Sequence, residues 1–354
     1  MGRTVVLKDT CFLGHVTQHG HPESPERLEA IYAMLQNADM AGCVEEISPR
    51  RAAKAEIALN HSPAYIDRIA ATAGRPPLSL DPDTGTSEGS WNAAAHAVGA
   101  VLDGIDRILS GAADNAFALV RPPGHHAEYS QAMGFCLFNN IAIGARYLLE
   151  KHNMQRVLIF DWDIHHGNGT QHSFYANPQV LYVSTHQYPY YPGTGAFEET
   201  GDNAGRGFTV NVPLSGGQGD SDYACILREI LVPLALEYQP EFVLVSAGFD
   251  IYQHDPLGTM EVTPQGFYAM TDIIRELADT VCGGRLLLVL EGGYHVLGIA
   301  EAVKQTLRAL SSTCGSPVKK PVCSGEDARI LPATRASMDK VKKLHSAAWK
   351  VFRQ

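Results

Sequence analysis

Six short segments dominated by apolar residues punctuate the chain: Phe117-Ala118-Leu119-Val120, Val157-Leu158-Ile159-Phe160, Val180-Leu181-Tyr182-Val183, Phe208-Thr209-Val210-Asn211-Val212, Phe242-Val243-Leu244-Val245 and Leu286-Leu287-Leu288-Val289-Leu290. Most lack polar alternation, which predicts strands buried on both faces. Thr4-Val5-Val6-Leu7 reads as a further strand and Val44-Glu45-Glu46-Ile47 as a weaker one. Helical stretches, Ile141 to Lys151, Tyr223 to Glu237 and Pro264 to Thr280, separate the apolar runs. This alternation predicts an α/β fold: a single-domain, three-layer α/β/α sandwich around a mainly parallel sheet of about eight strands.

The N-terminal loop carrying His15, His19 and His21 leads to Ser24-Pro25-Glu26, where Ser24 suits an N-cap and Pro25 the first helical position. A helix should run from there to about Gln36. Ser62-Pro63 repeats the start signal. Leu80 to Ser90 is rich in Asp, Gly, Ser and Thr and predicts a surface loop, followed by a helix over Trp91 to Leu109. From Ser311 to Thr334 the periodicity is lost, as in a linker. Met338, Val341, Leu344, Ala348 and Val351 then recur at helical spacing among Lys340, Lys342, Lys343, Lys350 and Arg353, predicting a docked terminal amphipathic helix. The division expected is a main domain over residues 1–312 and an extension over 313–354.

The 354-residue composition, 45% hydrophobic and 19% charged, is that of a globular protein with a sizeable core. A net charge of -10 argues against a general nucleic-acid binder, whose surface needs a basic excess to displace counterions. Cys11, Cys43, Cys136, Cys225, Cys282, Cys314 and Cys323 are odd in number and scattered without a CxxC pair, suggesting neither a disulfide framework nor a thiolate zinc site. A reducing compartment fits that pattern. The N-terminus lacks the zones of a signal peptide and no apolar run approaches bilayer length, so a soluble, cytoplasmic protein is expected. The oligomeric state is left open.

Four apolar runs end in residues better suited to a site than to a core. Val120 is followed by Arg121-Pro122-Pro123-Gly124-His125-His126, Phe160 by Asp161-Trp162-Asp163-Ile164-His165-His166-Gly167-Asn168, Val245 by Ser246-Ala247-Gly248-Phe249-Asp250, and Leu290 by Glu291-Gly292-Gly293-Tyr294. In a parallel sheet these loops emerge on one edge and their polar groups can meet. Asp163, His165 and Asp250 then make a three-ligand set that leaves a position open on a divalent metal, with zinc, manganese and iron all compatible. The imidazoles of His125 and His126 titrate near neutrality and suit proton transfer, each needing an acceptor on its other nitrogen; Asp161 and Asn168 are candidates. Tyr294, after two glycines, could swing over the site and offer a phenolic donor to an oxyanion.

With these residues in place the chain resembles the zinc-dependent histone deacetylases of the arginase/deacetylase fold, from about Thr4 to Leu310. The resemblance runs through His21 to Arg27, Arg121 to Glu128, Gly134 to Asn140, Asp161 to Thr170, Ser246 to Asp250, Asp255 to Gly258 and Glu291 to Tyr294. Asn168 and the following Gly-Thr-Gln make it most similar to class II enzymes and bacterial histone-deacetylase-like amidohydrolases. The resemblance implies zinc on Asp163, His165 and Asp250, His126 as proton shuttle, His125 paired with Asp161, and Tyr294 as oxyanion donor. It further implies a structural K+ or Na+ using Asp161 and Ser184 side chains with carbonyls of Asp163, His165 and Thr185, and a second monovalent site at Phe174, Asn177 and Val180.

An acyl-lysine tunnel walled by Gly134, Phe135, Tyr191, Leu257 and Gly293 is implied too, with Asp83 as a substrate contact. Tyr191 stands where the family has Phe. Leu257 stands where polyamine-specialised relatives place an acidic residue. The expected reaction is hydrolysis of the acetyl amide of N-ε-acetyl-lysine in proteins or peptides, releasing acetate. The alternatives are hydrolysis of small acetylated amines such as acetylpolyamines, a manganese ureohydrolase, and a non-catalytic acyl-lysine binder.

Overall fold

The computed structural model describes residues 3–311, 314 and 330–353. The apolar runs form one sheet of eight strands: β1 (Thr4–Leu7), β2 (Glu45–Ile47), β3 (Asn115–Ala118), β4 (Val157–Asp161), β5 (Val180–Gln187), β6 (Thr209–Leu214), β7 (Phe242–Ala247) and β8 (Leu286–Leu290). Their order is β2-β1-β3-β8-β7-β4-β5-β6, and every pairing is parallel. Strands β4, β7 and β8 are buried along their whole length, which is why they carry no alternation. From β3 the chain skips the two places later filled by β8 and β7 and lays down β4. The four strands with polar ends, β3, β8, β7 and β4, are therefore neighbours, and the loops beyond them share one crevice.

Helices cover the sheet: α1 (Glu26–Leu35), α2 (Pro63–Ala70), α3 (Ser90–Leu109), α4 (Asn140–Lys151), α5 (Asn168–Phe174), α6 (Asp220–Ile226), α7 (Val232–Tyr238), α8 (Pro264–Cys282), α9 (Val296–Leu310) and α10 (Pro332–His345). Helix α3 packs on α4, while α1, α9 and α8 pack in series. Local chemistry sets their starts: Ser62 Oγ accepts the Tyr65 N–H ahead of α2, and Thr263 Oγ1 accepts the Gly266 N–H ahead of α8, with Pro264 inside the first turn. Among the described residues no helix is long and apolar enough to cross a membrane.

Several expectations are corrected. Pro25, not Ser24, is the cap of α1, although the Ser24 carbonyl still receives the Arg27 N–H. Strand β3 ends two residues before the apolar run does, because Leu119 and Val120 already lead into the site loop. The stretch 80–90 is no simple surface loop. Leu78–Ser79 pairs with Gly85–Thr86, and Thr84, Thr86, Ser87 and Ser90 are buried against the N-terminal loop, where Ser87 Oγ receives the Val16 N–H. Helix α6 runs through a π turn at Leu227–Leu231 into α7.

The terminal helix buries Met338, Val341, His345 and the following Trp349, whereas Leu344, Ala348 and Val351 face solvent. It docks on β6 and is held by Arg335 and Lys342 on Glu229. The expected boundary between 312 and 313, and most of the expected linker, lie outside the described residues. Cys43 and Cys314, 271 residues apart, form a disulfide. Spacing carries no signal for a pair brought together only by the packing of α1 on α9.

Candidate metal centre

The turn after β4 brings Asp163 and His165 to the turn after β7, which carries Asp250. One ligand atom from each lies within 4.8 Å of the others, and all three residues are buried. His165 Nδ1 is 3.0 Å from Asp163 Oδ1 and 3.2 Å from Asp250 Oδ2. The backbone fixes both carboxylates. Asp163 Oδ1 accepts the His165 N–H at 2.9 Å, Asp163 Oδ2 the Gly292 N–H at 2.8 Å, and Asp250 Oδ1 the Ile164 N–H at 2.9 Å. Asp250 Oδ2 is buried, and the His165 ring nitrogen 3.2 Å away is not aligned to hydrogen-bond it. A carboxylate oxygen so placed carries its full desolvation cost unless a cation shares the site.

Two glycines keep the cradle open. A Cβ on Gly248 would lie 2.2 Å from Asp163 Oδ2, and one on Gly292 would lie 2.2 Å from Asp250 Oδ2. Burial, then the Asp163 carboxylate, pushes the Asp250 carboxyl up. At Asp163 burial acts the same way but is outweighed by the His125 and His165 imidazoles, which hold that carboxyl below the usual range. An oxygen, nitrogen, oxygen set without thiolate fits a divalent ion such as zinc, iron or manganese, and this is the sole such cluster among the described residues.

The loop after β3 sets two imidazoles beside this cradle, their ring centroids 4.0 Å apart. His125 Nδ1 lies 3.1 Å from Asp161 Oδ2, and His126 Nδ1 lies 2.7 Å from Asn168 Oδ1, so each finds the acceptor expected for it. Burial alone would lower His125, but Asp163 and Asp161 outweigh it and raise the imidazole to about 10. His126 is held well below its ordinary value by burial and then by the His125 and His165 rings. The two imidazoles are thus pushed in opposite directions, His125 up by its carboxylate neighbours and His126 down by burial and the adjacent rings.

Asn168 Nδ2 donates in turn to Glu128 Oε1 at 2.5 Å. Glu291, to which the sequence assigned no role, accepts the Gly124 and His125 N–H groups and the Ser246 hydroxyl at 2.6, 3.2 and 3.1 Å, anchoring the histidine loop.

Tyr294 does not sit on a loose turn. The buried Arg27 donates to the carbonyls of Glu291 and Gly293, both at 2.6 Å, and its guanidinium lies 5.0 Å from the Tyr294 ring centre. Asp255 Oδ2 accepts the N–H groups of Tyr294 and His295 at 2.6 and 3.1 Å. Arg27 is itself paired with buried Glu23, which also takes the Arg121 guanidinium on both oxygens. All three side chains have zero exposure, so this acid and two arginines form an internal brace beneath the site. Each stands in a quoted motif, but only the fold shows that they meet.

Several of the residues expected at a tunnel lie in contact with the histidine pair, Tyr294 or one another. Gly134 has φ +54°, and a Cβ there would lie 2.4 Å from the His126 ring. Phe135, at φ +68°, sets its ring edge-on to Tyr294 with centroids 5.9 Å apart. Tyr191 meets His126 edge-on at 5.1 Å, while Tyr190, overlooked in the sequence, stacks on His165 at 5.7 Å and donates to the Leu257 carbonyl at 3.0 Å. Gly293 has φ +115° against Phe249. Asp83 is half-buried and accepts the Thr84 hydroxyl at 3.0 Å.

Of the residues expected near a monovalent ion, Asp161 and Ser184 are register partners on β4 and β5, and Thr185 Oγ1 donates to the Asp161 carbonyl at 3.4 Å. Ser184 Oγ also contacts His186 Nδ1 at 2.9 Å. At the second site the Phe174 carbonyl accepts the Asn177 N–H and the Asn177 carbonyl the Val180 N–H.

A profile of the histone deacetylase domain matches residues 21–310. Histone deacetylase 15 of Arabidopsis thaliana is 43% identical over 295 residues, covering 82% of this chain and 52% of that protein. Polyamine deacetylase HDAC10 of Homo sapiens is 37% identical over 345 residues, covering 94% of this chain and 50% of that protein. The chain therefore spans about half the length of these curated relatives. The crystal structure of the HDA15 HD domain superposes with a TM-score of 0.89 at 38% identity, covering 99% of this chain and 96% of that one. On the domain match, the identities and the shared architecture, the chain belongs to the histone deacetylase family.

Proposed function

We propose that the protein is a zinc-dependent deacetylase that hydrolyses the acetyl amide of N-ε-acetyl-lysine in peptides or proteins, releasing acetate and the free amine. The observation that carries this reading is the convergence of the Asp163, His165 and Asp250 cradle with two oriented imidazoles and Tyr294 at one aromatic mouth. A zinc ion held by those three residues would supply a Lewis acid that polarises the amide carbonyl and makes water easier to deprotonate. Asn168 Oδ1 accepts a hydrogen bond from the Nδ1–H of His126, leaving Nε2 free to receive the proton of the attacking water and pass it to the departing amine. His125, hydrogen-bonded through Nδ1 to Asp161, sets its ring 4.0 Å from that of His126 and helps to hold the pair at the site. The Tyr294 hydroxyl donates to that oxyanion. The ring is already placed by Arg27 and the turn by Asp255, so little reorganisation is required.

A structural K+ or Na+ on Asp161, Asp163, His165, Ser184 and Thr185, and a second at Phe174, Asn177 and Val180, belong to the same proposal. So do the division into residues 1–312 and 313–354 and a cytoplasmic location. Acetylpolyamines are the second substrate reading, favoured by the 37% identity to a polyamine deacetylase and opposed by the apolar Leu257 at the mouth. Comparing kcat/KM for acetyl-lysine peptides and acetylpolyamines on metal-stripped, zinc-reloaded protein decides between them. Preference for the polyamine would overturn the peptide reading, and urea release from arginine would overturn both.

A further inference from the structure

A cavity of about 760 Å³ lies outside the metal centre, between the N-terminal loop and the 77–89 hairpin. Its lining includes Val16 and Leu78, apolar side chains 55% and 51% exposed, and the acidic residues Asp81, Asp83 and Glu88. No lysine or arginine lines it among the described residues. The cavity adjoins the tunnel mouth through two shared residues. Thr84 Oγ1 accepts the Phe135 N–H at 3.0 Å and donates to Asp83 Oδ1, and the His21 ring packs edge-on against Phe135 with centroids 4.6 Å apart. The groove therefore begins next to Phe135, within reach of residues flanking an acyl-lysine held beside that ring.

Resting on the deacetylase reading, we infer that the groove binds a lysine or arginine side chain neighbouring the acyl-lysine of a peptide substrate. Val16 and Leu78 receive the aliphatic stem and the acidic residues the charged head, an arrangement that suits a long cationic side chain. Burial, then the neighbouring Asp81, raises the Asp83 carboxyl, so a cation set between the two relieves a repulsion already present. The net charge of -10 draws the same substrates from a distance.

The test uses the zinc-loaded full chain with three substrates: an acetyl-lysine peptide flanked by arginine, the same peptide flanked by glutamine, and N-acetyl-lysine amide. The arginine peptide is expected to show a KM about five- to tenfold lower than the glutamine peptide at similar kcat. Asp81→Asn with Glu88→Gln removes two of the three carboxylates and should shrink that difference to about twofold while leaving the amide substrate unchanged. The asparagine keeps the Oδ1 acceptor that caps the Asp83 and Thr84 N–H groups. Val16→Arg, which puts a cation into the groove from an exposed position, should abolish it.

A wild type without flank preference, or a preference left undiminished by both variants, overturns the inference. So does a charge dependence seen with acetylpolyamines alone. Failure to hydrolyse even N-acetyl-lysine amide sinks the deacetylase reading instead, and fluorescence anisotropy of the labelled peptides then still reads the groove directly.

Discussion

Replacing Gly292 by alanine should disable the metal site without touching a ligand. The added methyl would sit 2.2 Å from Asp250 Oδ2 and 2.7 Å from Asp163 Oδ2. Ordinary contact demands roughly 3.4 Å, so at least one carboxylate must retreat by about 1 Å. Metal–ligand distances hold within about 0.2 Å, and even the loss of an outer partner typically costs 10–100-fold in affinity. A 100-fold loss removes about 2.7 kcal/mol of metal-linked stabilisation at saturating zinc. The crowding itself destabilises the fold by about 1–3 kcal/mol.

The assay is competition of metal-stripped protein against a chromophoric chelator, with thermal unfolding recorded with and without zinc. Gly283→Ala is the control: its φ of +64° strains an alanine, but nothing within 4 Å meets the new Cβ and the residue ends α8 away from the site. The account expects Gly283→Ala to lose stability and keep wild-type zinc affinity, and Gly292→Ala to lose the zinc-dependent rise in melting temperature. Unchanged zinc affinity in Gly292→Ala would refute the cradle.

Tyr294→Phe keeps the packing against Arg27 and Phe135 and should lower kcat by about 10²–10³ at unchanged zinc content; full activity would remove Tyr294 from the oxyanion role. His61, buried between the Glu128 carbonyl and the Asn139 N–H, has its imidazole lowered by burial to about 4. Its folded value is depressed, so stability is fully present above about 6.5, where the unfolded chain titrates, and falls between there and about 4, by up to roughly 3 kcal/mol. Chemical denaturation across that window should show His61→Gln less stable at neutral pH but with a slope shallower by about one proton, and an equal slope would contradict the assignment.

The central strands were legible because a parallel sheet covered on both faces leaves uninterrupted apolar runs, and β8 was read at its observed limits. Asp163, His165 and Asp250 were legible because they follow such runs and parallel strands end on one edge. What the chain concealed depends on long-range packing. Helix α5 hides in the polar string Asn168 to Phe174, whose burial comes from the site and not from its own periodicity. Helix α9 carries Ile299, Val303, Leu307 and Leu310 at readable spacing, but its cap is His295, which is no usual start signal. Glu23, Arg27 and Arg121 look like surface charges until the fold brings 98 residues of separation down to a bidentate pair. The turn at Gly292 and Gly293 looked loose because glycine is usually read as freedom. Here the glycines are required by the close approach of the Asp250 and Asp163 carboxylates and of Phe249.

The most direct measurement is acetate release from an acetyl-lysine peptide by metal-stripped protein reloaded with one equivalent of zinc, run beside Asp250→Asn. The account predicts that zinc restores turnover to the wild type, and that Asp250→Asn, folded by circular dichroism, neither retains zinc nor turns over. Equal turnover with and without zinc, or an Asp250→Asn variant as active as the wild type, would contradict it.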